Sequence, residues 1–388
     1  MIRRTLIHKK ILSYLVAIAV GYLCLIFFLG DPGKDLLNTG ITKDVLQRRN
    51  FLINALSQKP SAADIFEKSD MQYTGEGMLG TYAMATYALT NIAMLEPKTA
   101  NESSRIIAQW IRACLKEPLF AFDKIAWLGE NPLEPGILSL DRGHIGYYGH
   151  LNLMLGCYSL LNNDGQFKDL HSALSEAIAR RMRKFSHRHI ETYPYETYPP
   201  DNTVAAASLK IAGMALGADY KELLKQWVEE SKKIEWQPYG LIVFQIESYA
   251  GKPLQTCRGS NIGWNSFFRP LVDEQYANVQ FQRFKKYMLK RFPGFAAFRE
   301  YPQGNLFRMD CDTGPVIFGL GGTATGFSVA GARWTKDKRL LTELLRLGEL
   351  VGMSVTRHNQ RRYLVAPLAG DAIMLAMKTA TRWRPLWK

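Results

Sequence analysis

The sequence predicts an all-α protein in which one membrane-spanning helix precedes a closed ring of helical pairs, an (α/α)6 toroid. Three observations carry that expectation. Residues 11–29 hold no charged side chain, about the length that crosses a bilayer core. Beyond them, two kinds of helix alternate, six amphipathic and six short, Gly/Ala-rich and nearly uncharged, at a recurrence of roughly 50 to 70 residues, which marks a repeat architecture. The uncharged runs that follow are rich in Gly and Ala rather than strongly apolar, so those helices are expected to be buried inside one soluble body with a sizeable core.

The N-terminal apolar run is too long for the core of a typical signal peptide, and no small-x-small cleavage site lies directly before Asp31, so an uncleaved signal anchor is expected. Arg3, Arg4, Lys9 and Lys10 lie before it, which keeps the N-terminus in the cytoplasm and sends the rest of the chain across, into the periplasm of a bacterium. Residues 1–30 are then a basic segment and inner-membrane anchor, 31–40 a tether, and 41–388 the helical domain.

The amphipathic, outward-charged helices are expected at Thr42–Gln58, Ser103–Leu115, Phe167–Phe185, Tyr220–Ile234, Tyr276–Leu289 and Lys336–Leu350. The uncharged ones begin near Gly77, Gly149, Asn202, Asn261, Gly314 and Gly370. An open α-solenoid is the rival arrangement. It would expose one face of its inner row, whereas these inner helices have almost no face suited to water, which favours closure and places the Gly77 helix beside the Gly370 helix.

Lysine and arginine total 49 against 35 acids, a formal charge of +14. Such an excess calls for an anionic neighbour, and an exported domain meets acidic polymers and lipid surfaces rather than nucleic acid. The terminal Thr381-Arg382-Trp383-Arg384-Pro385-Leu386-Trp387-Lys388 mixes tryptophan with cations and reads equally as an interfacial segment or a solvated tail. Of the five cysteines, Cys24 lies in the anchor, and the others lack C-x-x-C spacing, which argues against a zinc knuckle or a thioredoxin-like motif. Cys114 and Cys157 read as core residues. Cys257 and Cys311 flank helix starts and are candidates for a disulfide or a reactive thiol. No cofactor and no metal are expected.

The most distinctive stretch is Tyr193-Pro194-Tyr195-Glu196-Thr197-Tyr198-Pro199-Pro200-Asp201-Asn202, directly before an apolar helix. Its three prolines argue against regular structure, and Asp201 or Asn202 suits the N-cap. In a ring, such segments meet at one rim: Tyr73 and Glu76; Tyr148 and His150; Glu196, Tyr198 and Asp201; Arg258, Asn261 and Trp264; Asp312; and Asp371. Each acid is individually explained by helix capping, whereas their convergence on one rim points to acid–base chemistry. Asp201 and Asp312, at helix starts, are expected to stay ionised as base or nucleophile. Glu196, among phenols and prolines, is the candidate for a carboxyl of raised pKa, and Glu196 or His150 for the proton donor.

Gly149-His150-Leu151-Asn152-Leu153-Met154 with Gly156-x-Tyr158, then Pro200-Asp201-Asn202 with Val204-Ala205, together with Leu95-Glu96-Pro97-Lys98 and Asp312-x-Gly314-x-Val316, resembles the bacterial linalool dehydratase/isomerase family. The resemblance touches most of the soluble chain. It implies a periplasmic (α/α)6 barrel and, for His150, the role of that family's active-site histidine. The family's two cysteines flanking Pro-Asp-Asn have no counterpart: one position falls on Tyr198, the other in a gap or on Asp201.

The leading expectation is an anchored periplasmic enzyme acting on a glycan as glycosidase or lyase, with Asp201 and Asp312 as ionised carboxylates, and Tyr148, Tyr198 and Trp264 as the sugar platform. Tyr73, Glu76, Arg258 and Asn261 complete the binding residues. The second is dehydration or isomerisation of a small alcohol, with Tyr198, His150 and an acid replacing the cysteines. The third is a non-catalytic module holding an anionic polymer at the membrane.

Overall fold

The computed structural model describes residues 2–58, 71–302, 308–310 and 312–387, with side chains from Tyr14 to Gln58 and again from Gly75 onward in those ranges. The chain is mostly helical. Helix α1 (Ile2–Leu29) is long and apolar enough to cross a membrane: its apolar stretch from Tyr14 has a mean hydropathy of 2.1 and is unburied.

After α2 (Pro32–Thr39), the charged helices are α3 (Lys43–Ser57), α5 (Ala100–Cys114), α9 (Lys168–Lys184), α11 (Lys221–Lys233), α13 (Glu274–Met288) and α15 (Lys338–Gly352). Each falls within a few residues of its sequence expectation, because a sharp apolar stripe leaves little choice of face. Three of them are capped by their own sequence: Thr42 accepts from Val45 N, Asp273 from Tyr276 N and Asp337 from Leu340 N.

The uncharged helices are α4 (Met71–Leu95), α8 (Ile145–Leu161), α10 (Pro199–Leu216), α12 (Gly259–Val272), α14 (Gly322–Trp334) and α16 (Leu368–Thr379), with short α6 (Glu117–Ala126) and α7 (Pro135–Leu138) inserted before α8. In series α4 packs on α8, α8 on α10, α10 on α12, α12 on α14 and α14 on α16, and α16 packs on α4. Outside them, α5 lies on α4 and α8, α9 on α8 and α10, α11 on α10, α13 on α12, α15 on α14, and α3 on α16 and α4. Small residues permit the inner contacts. A Cβ added at Gly263 of α12 would stand 2.9 Å from Phe327 Cβ and 3.1 Å from Ala324 O of α14, so only glycine lets these helices approach so closely.

Short turns join α8 to α9, α10 to α11, α12 to α13 and α14 to α15. The longer connections before α12, α14 and α16 carry four antiparallel hairpins: β1–β2 (Glu235–Trp236, Leu241–Ile242), β3–β4 (Leu289–Phe292, Phe295–Phe298), β5–β6 (Val316–Ile317, Leu320–Gly321) and β7–β8 (Ser354–Arg357, Gln360–Tyr363). A buried charge network braces the seam between α3, α15 and α16. Arg48 bonds Asp44 (3.0 Å), Glu349 (2.8 Å) and Asp371 (3.2 Å), and Lys378 bonds Asp44 (2.8 Å) and Glu349 (3.1 Å).

Several local expectations are corrected. Helix α10 begins at Pro199 with Tyr198 as its N-cap. Two prolines at the first helical positions lack only N–H groups that would go unpaired there anyway, so they start the helix rather than break it. Asp201 and Asn202 are thus inside its first turn. The Asn202 amide instead ties the helix to Ile190, accepting from Ile190 N (2.7 Å) and donating to Ile190 O (2.9 Å). Gly314 does not open a helix. It turns at φ +58° into the β5–β6 hairpin, and α14 starts at Gly322. Asp371 does not cap α16 but accepts from Tyr363 N (3.1 Å) and pairs with Arg48. The segment around Glu76 belongs to α4 itself rather than to a loop before it.

The C-terminal tail is held against the helices by its tryptophans, while Arg382 and Arg384 remain exposed. Trp383 is buried against Tyr87 and Phe267, and its indole donates to Asn91 Oδ1 (2.6 Å). Leu386 N bonds Leu160 O (2.9 Å), and the Trp387 indole bonds Ser159 O (2.7 Å).

Candidate functional site

The carboxyl of Glu76, one turn into α4, accepts a hydrogen bond from the Tyr193 hydroxyl (2.8 Å). Enclosure in protein, reinforced by the charges of Asp201 and Asp312, pushes its pKa up to about 8. The Asp201 carboxylate on α10 accepts from the Thr192 hydroxyl (2.6 Å), and burial raises its pKa to about 6, with Asp312 adding to the effect. Helix position alone suggested an ionised Asp201, as it still is near pH 7, though with its pKa raised. Loss of water outweighs the helix dipole here. Asp312 is exposed, and its N–H bonds Asp310 Oδ1 (3.1 Å). Three carboxyls far apart in sequence therefore share one electrostatic neighbourhood.

The turn Tyr193–Glu196 closes through Glu196 N to Tyr193 O (2.9 Å), with Tyr195 at φ +66°. Glu196 is exposed and accepts from the Tyr198 hydroxyl (2.7 Å). The carboxyl of raised pKa that the phenol-rich segment suggested is found on Glu76, to which that segment contributes Tyr193. Burial and the Glu196 carboxylate push the Tyr198 phenol well above its usual range, so it remains a donor.

His150 lies deeper on α8. Its Nδ1 shares a hydrogen bond with the Tyr87 hydroxyl (2.9 Å), and Tyr87, Trp264 and Phe268 surround its ring. Burial lowers its pKa to about 4, so it is neutral near pH 7. The α8 and α10 backbones meet just above it, where a Cβ at Gly149 would lie 3.4 Å from Ala205 N and 3.6 Å from Asp201 O. On α12, Asn261 Nδ2, Trp264 Nε1 and Asn265 Oδ1 fall at i, i+3 and i+4 and have no hydrogen-bond partner among the described residues. That spacing puts them on one helix face, and Trp264 directs the face toward His150. Buried polar atoms without partners are costly, and a polar ligand would satisfy them.

Two expected binding residues have their polar groups engaged elsewhere. Tyr148 is fully buried, and its hydroxyl donates to Pro132 O (2.7 Å). Arg258 is buried over the Phe244 ring between Glu300 (3.2 Å) and Asp310 (2.8 Å). Tyr73 lies outside the described side chains, as does a pairing of Cys257 with Cys311. Sequence reasoning missed Thr192, Asn265 and Glu300. The last is buried, accepts from Ser260 Oγ (2.7 Å), and is raised by burial to about 7. Thr192 directly adjoins the Tyr193–Asn202 segment and Asn265 is spaced to share a face with Asn261, whereas no motif surrounds Glu300.

No family model matches the sequence.

Proposed function

We propose that the six inner helices close into an (α/α)6 ring, carried by a single-pass anchor with its domain in the periplasm, and that the ring encloses an acid–base site acting on a glycan. The packing of α16 on α4 supports closure, and Arg3, Arg4, Lys9 and Lys10 before the anchor support the orientation. One observation carries the chemistry. Near pH 7, Glu76, at about 8, holds a proton while Asp201, at about 6, has lost one.

Neighbouring carboxyls in opposite protonation states are what glycosidic cleavage needs. Glu76 donates its proton to the leaving oxygen, and Asp201, oriented by Thr192, attacks the sugar or activates water. Tyr198 and the open amides of Asn261 and Asn265 bind hydroxyls, and Trp264 supplies a stacking face. The net charge of +14 favours an anionic glycan.

A second reading keeps the chemistry of linalool dehydratase/isomerase. It is favoured by neutral His150 in its aromatic surround of Tyr87, Trp264 and Phe268.

The test is turnover by the full chain on neutral and uronate-containing polysaccharides, followed as new reducing ends or unsaturated uronates, with linalool in parallel. Activity should rise through about pH 6 and fall through about pH 8. Glu76→Gln and Asp201→Asn should each lower it at least roughly a hundredfold without lowering thermal stability. Full activity in both variants refutes the glycan mechanism, and dehydration of linalool alone selects the second reading.

A further inference from the structure

Helix α1 leaves the domain beside α15. Arg346 Nε of α15 donates to Gly30 O (2.8 Å), Ile26 packs against Gly294 at the tip of β3–β4, and Tyr22 meets Phe295 and the Pro293 carbonyl. The anchor is therefore fastened to one of the connections that lead into the inner helices, at the end of the molecule where those helices begin.

The surface around this attachment is unusual in two respects. First, it exposes large apolar side chains: Phe292 on β3–β4, Leu350, Val351 and Met353 at the end of α15, and Leu364 and Val365 after β8 are each 43% to 64% exposed. Second, residues 289–298 and 350–367 contain no acid; Lys290, Arg357 and Arg362 are exposed among the apolar residues, while Arg291 and Arg361 pair with Glu343 and Glu349 of α15. β4 packs on α15, and Arg361 of β8 pairs with Glu349 of α15 (2.7 Å), so the two hairpins flank that helix. Apolar tips interleaved with cations match the layering of a bilayer interface, where tips enter the headgroup region and cations meet lipid phosphates. A soluble protein partner would not need to lie beside the anchor, whereas the bilayer does.

We infer that this sector docks onto the anionic phospholipid surface of the membrane that α1 spans, so that the end of the domain bearing Glu76 and Asp201 faces the headgroup layer. The inference does not depend on the chemistry assigned to the pocket.

Amide hydrogen exchange of the full chain in nanodiscs tests it, comparing phosphatidylcholine/phosphatidylglycerol mixtures with pure phosphatidylcholine. Residues 289–298 and 350–367 should exchange at least roughly threefold more slowly in the mixed discs and lose that protection in high salt. The opposite-end turns 162–167 and 217–220 should be unchanged. Arg357→Glu combined with Arg362→Glu, both exposed and outside the site, should abolish the lipid effect with unfolding temperature retained. Equal exchange in the two discs, or protection confined to the opposite end, overturns the inference.

Discussion

Replacing Glu76 by glutamine tests the electrostatics of the site without a substrate. In the unfolded chain a glutamate loses its proton near pH 4.5, whereas in the fold Glu76 keeps it to about pH 8. Between those values the native state binds more protons than the unfolded state, so the group's contribution to stability falls as pH rises. The loss is absent below about 4.5, accumulates up to about 8, and then stops. From pH 5 to pH 7 it amounts to about 2 to 3 kcal/mol, since each unit over which only the unfolded state is ionised costs about 1.4 kcal/mol. Glutamine resembles the protonated acid and can still accept from Tyr193. Glu76→Gln should therefore match wild type near pH 5 and exceed it by that margin at pH 7. Denaturant unfolding of the full chain in detergent, followed by tryptophan fluorescence, measures the difference. Asp201 adds its own slope to both proteins, so the difference isolates Glu76. Parallel stability profiles across this range would show that Glu76 folds ionised, and the proposed proton donor would be lost.

Three further outcomes follow from the packing. Glu349, held well below the usual carboxylate range by Lys378 and Arg48, neutralises two buried cations, so Glu349→Ala should cost about 3 to 5 kcal/mol; a loss under about 1 kcal/mol in the same unfolding assay would make the network a surface feature. Trp383→Ala should cost about 3 to 5 kcal/mol by opening a cavity beside Tyr87 and Phe267, and a near-neutral result would mean the tail is peripheral. The protein should fractionate with inner membrane and retain Met1 or its immediate successor, as N-terminal mass analysis of material from native cells would report; a processed, freely soluble form contradicts an uncleaved anchor.

The alternation of charged and uncharged helices was legible from residue type alone, because amphipathic periodicity and uniform apolarity specify which faces water can touch. That is why Lys221–Lys233 and Lys168–Lys184 emerge nearly residue for residue, and why α1 stands out as long and apolar enough to cross a membrane. Helix starts were less legible. Pro199-Pro200 and Gly314-Pro315 look alike as local signals, yet one begins a helix and the other a hairpin turn, according to which neighbours take up the backbone groups. The protonation pattern of the site depended wholly on tertiary structure. Burial and neighbouring charge set a carboxyl's pKa, and for Glu76 the main neighbours are Tyr193, Asp201 and Asp312, each more than a hundred residues away. The local aromatic context pointed instead to Glu196, which the fold leaves in solvent with Tyr198 as its partner. Sequence determines which side chains are available for chemistry. The removal of water around one of them, by residues the chain brings from elsewhere, decides which holds the proton.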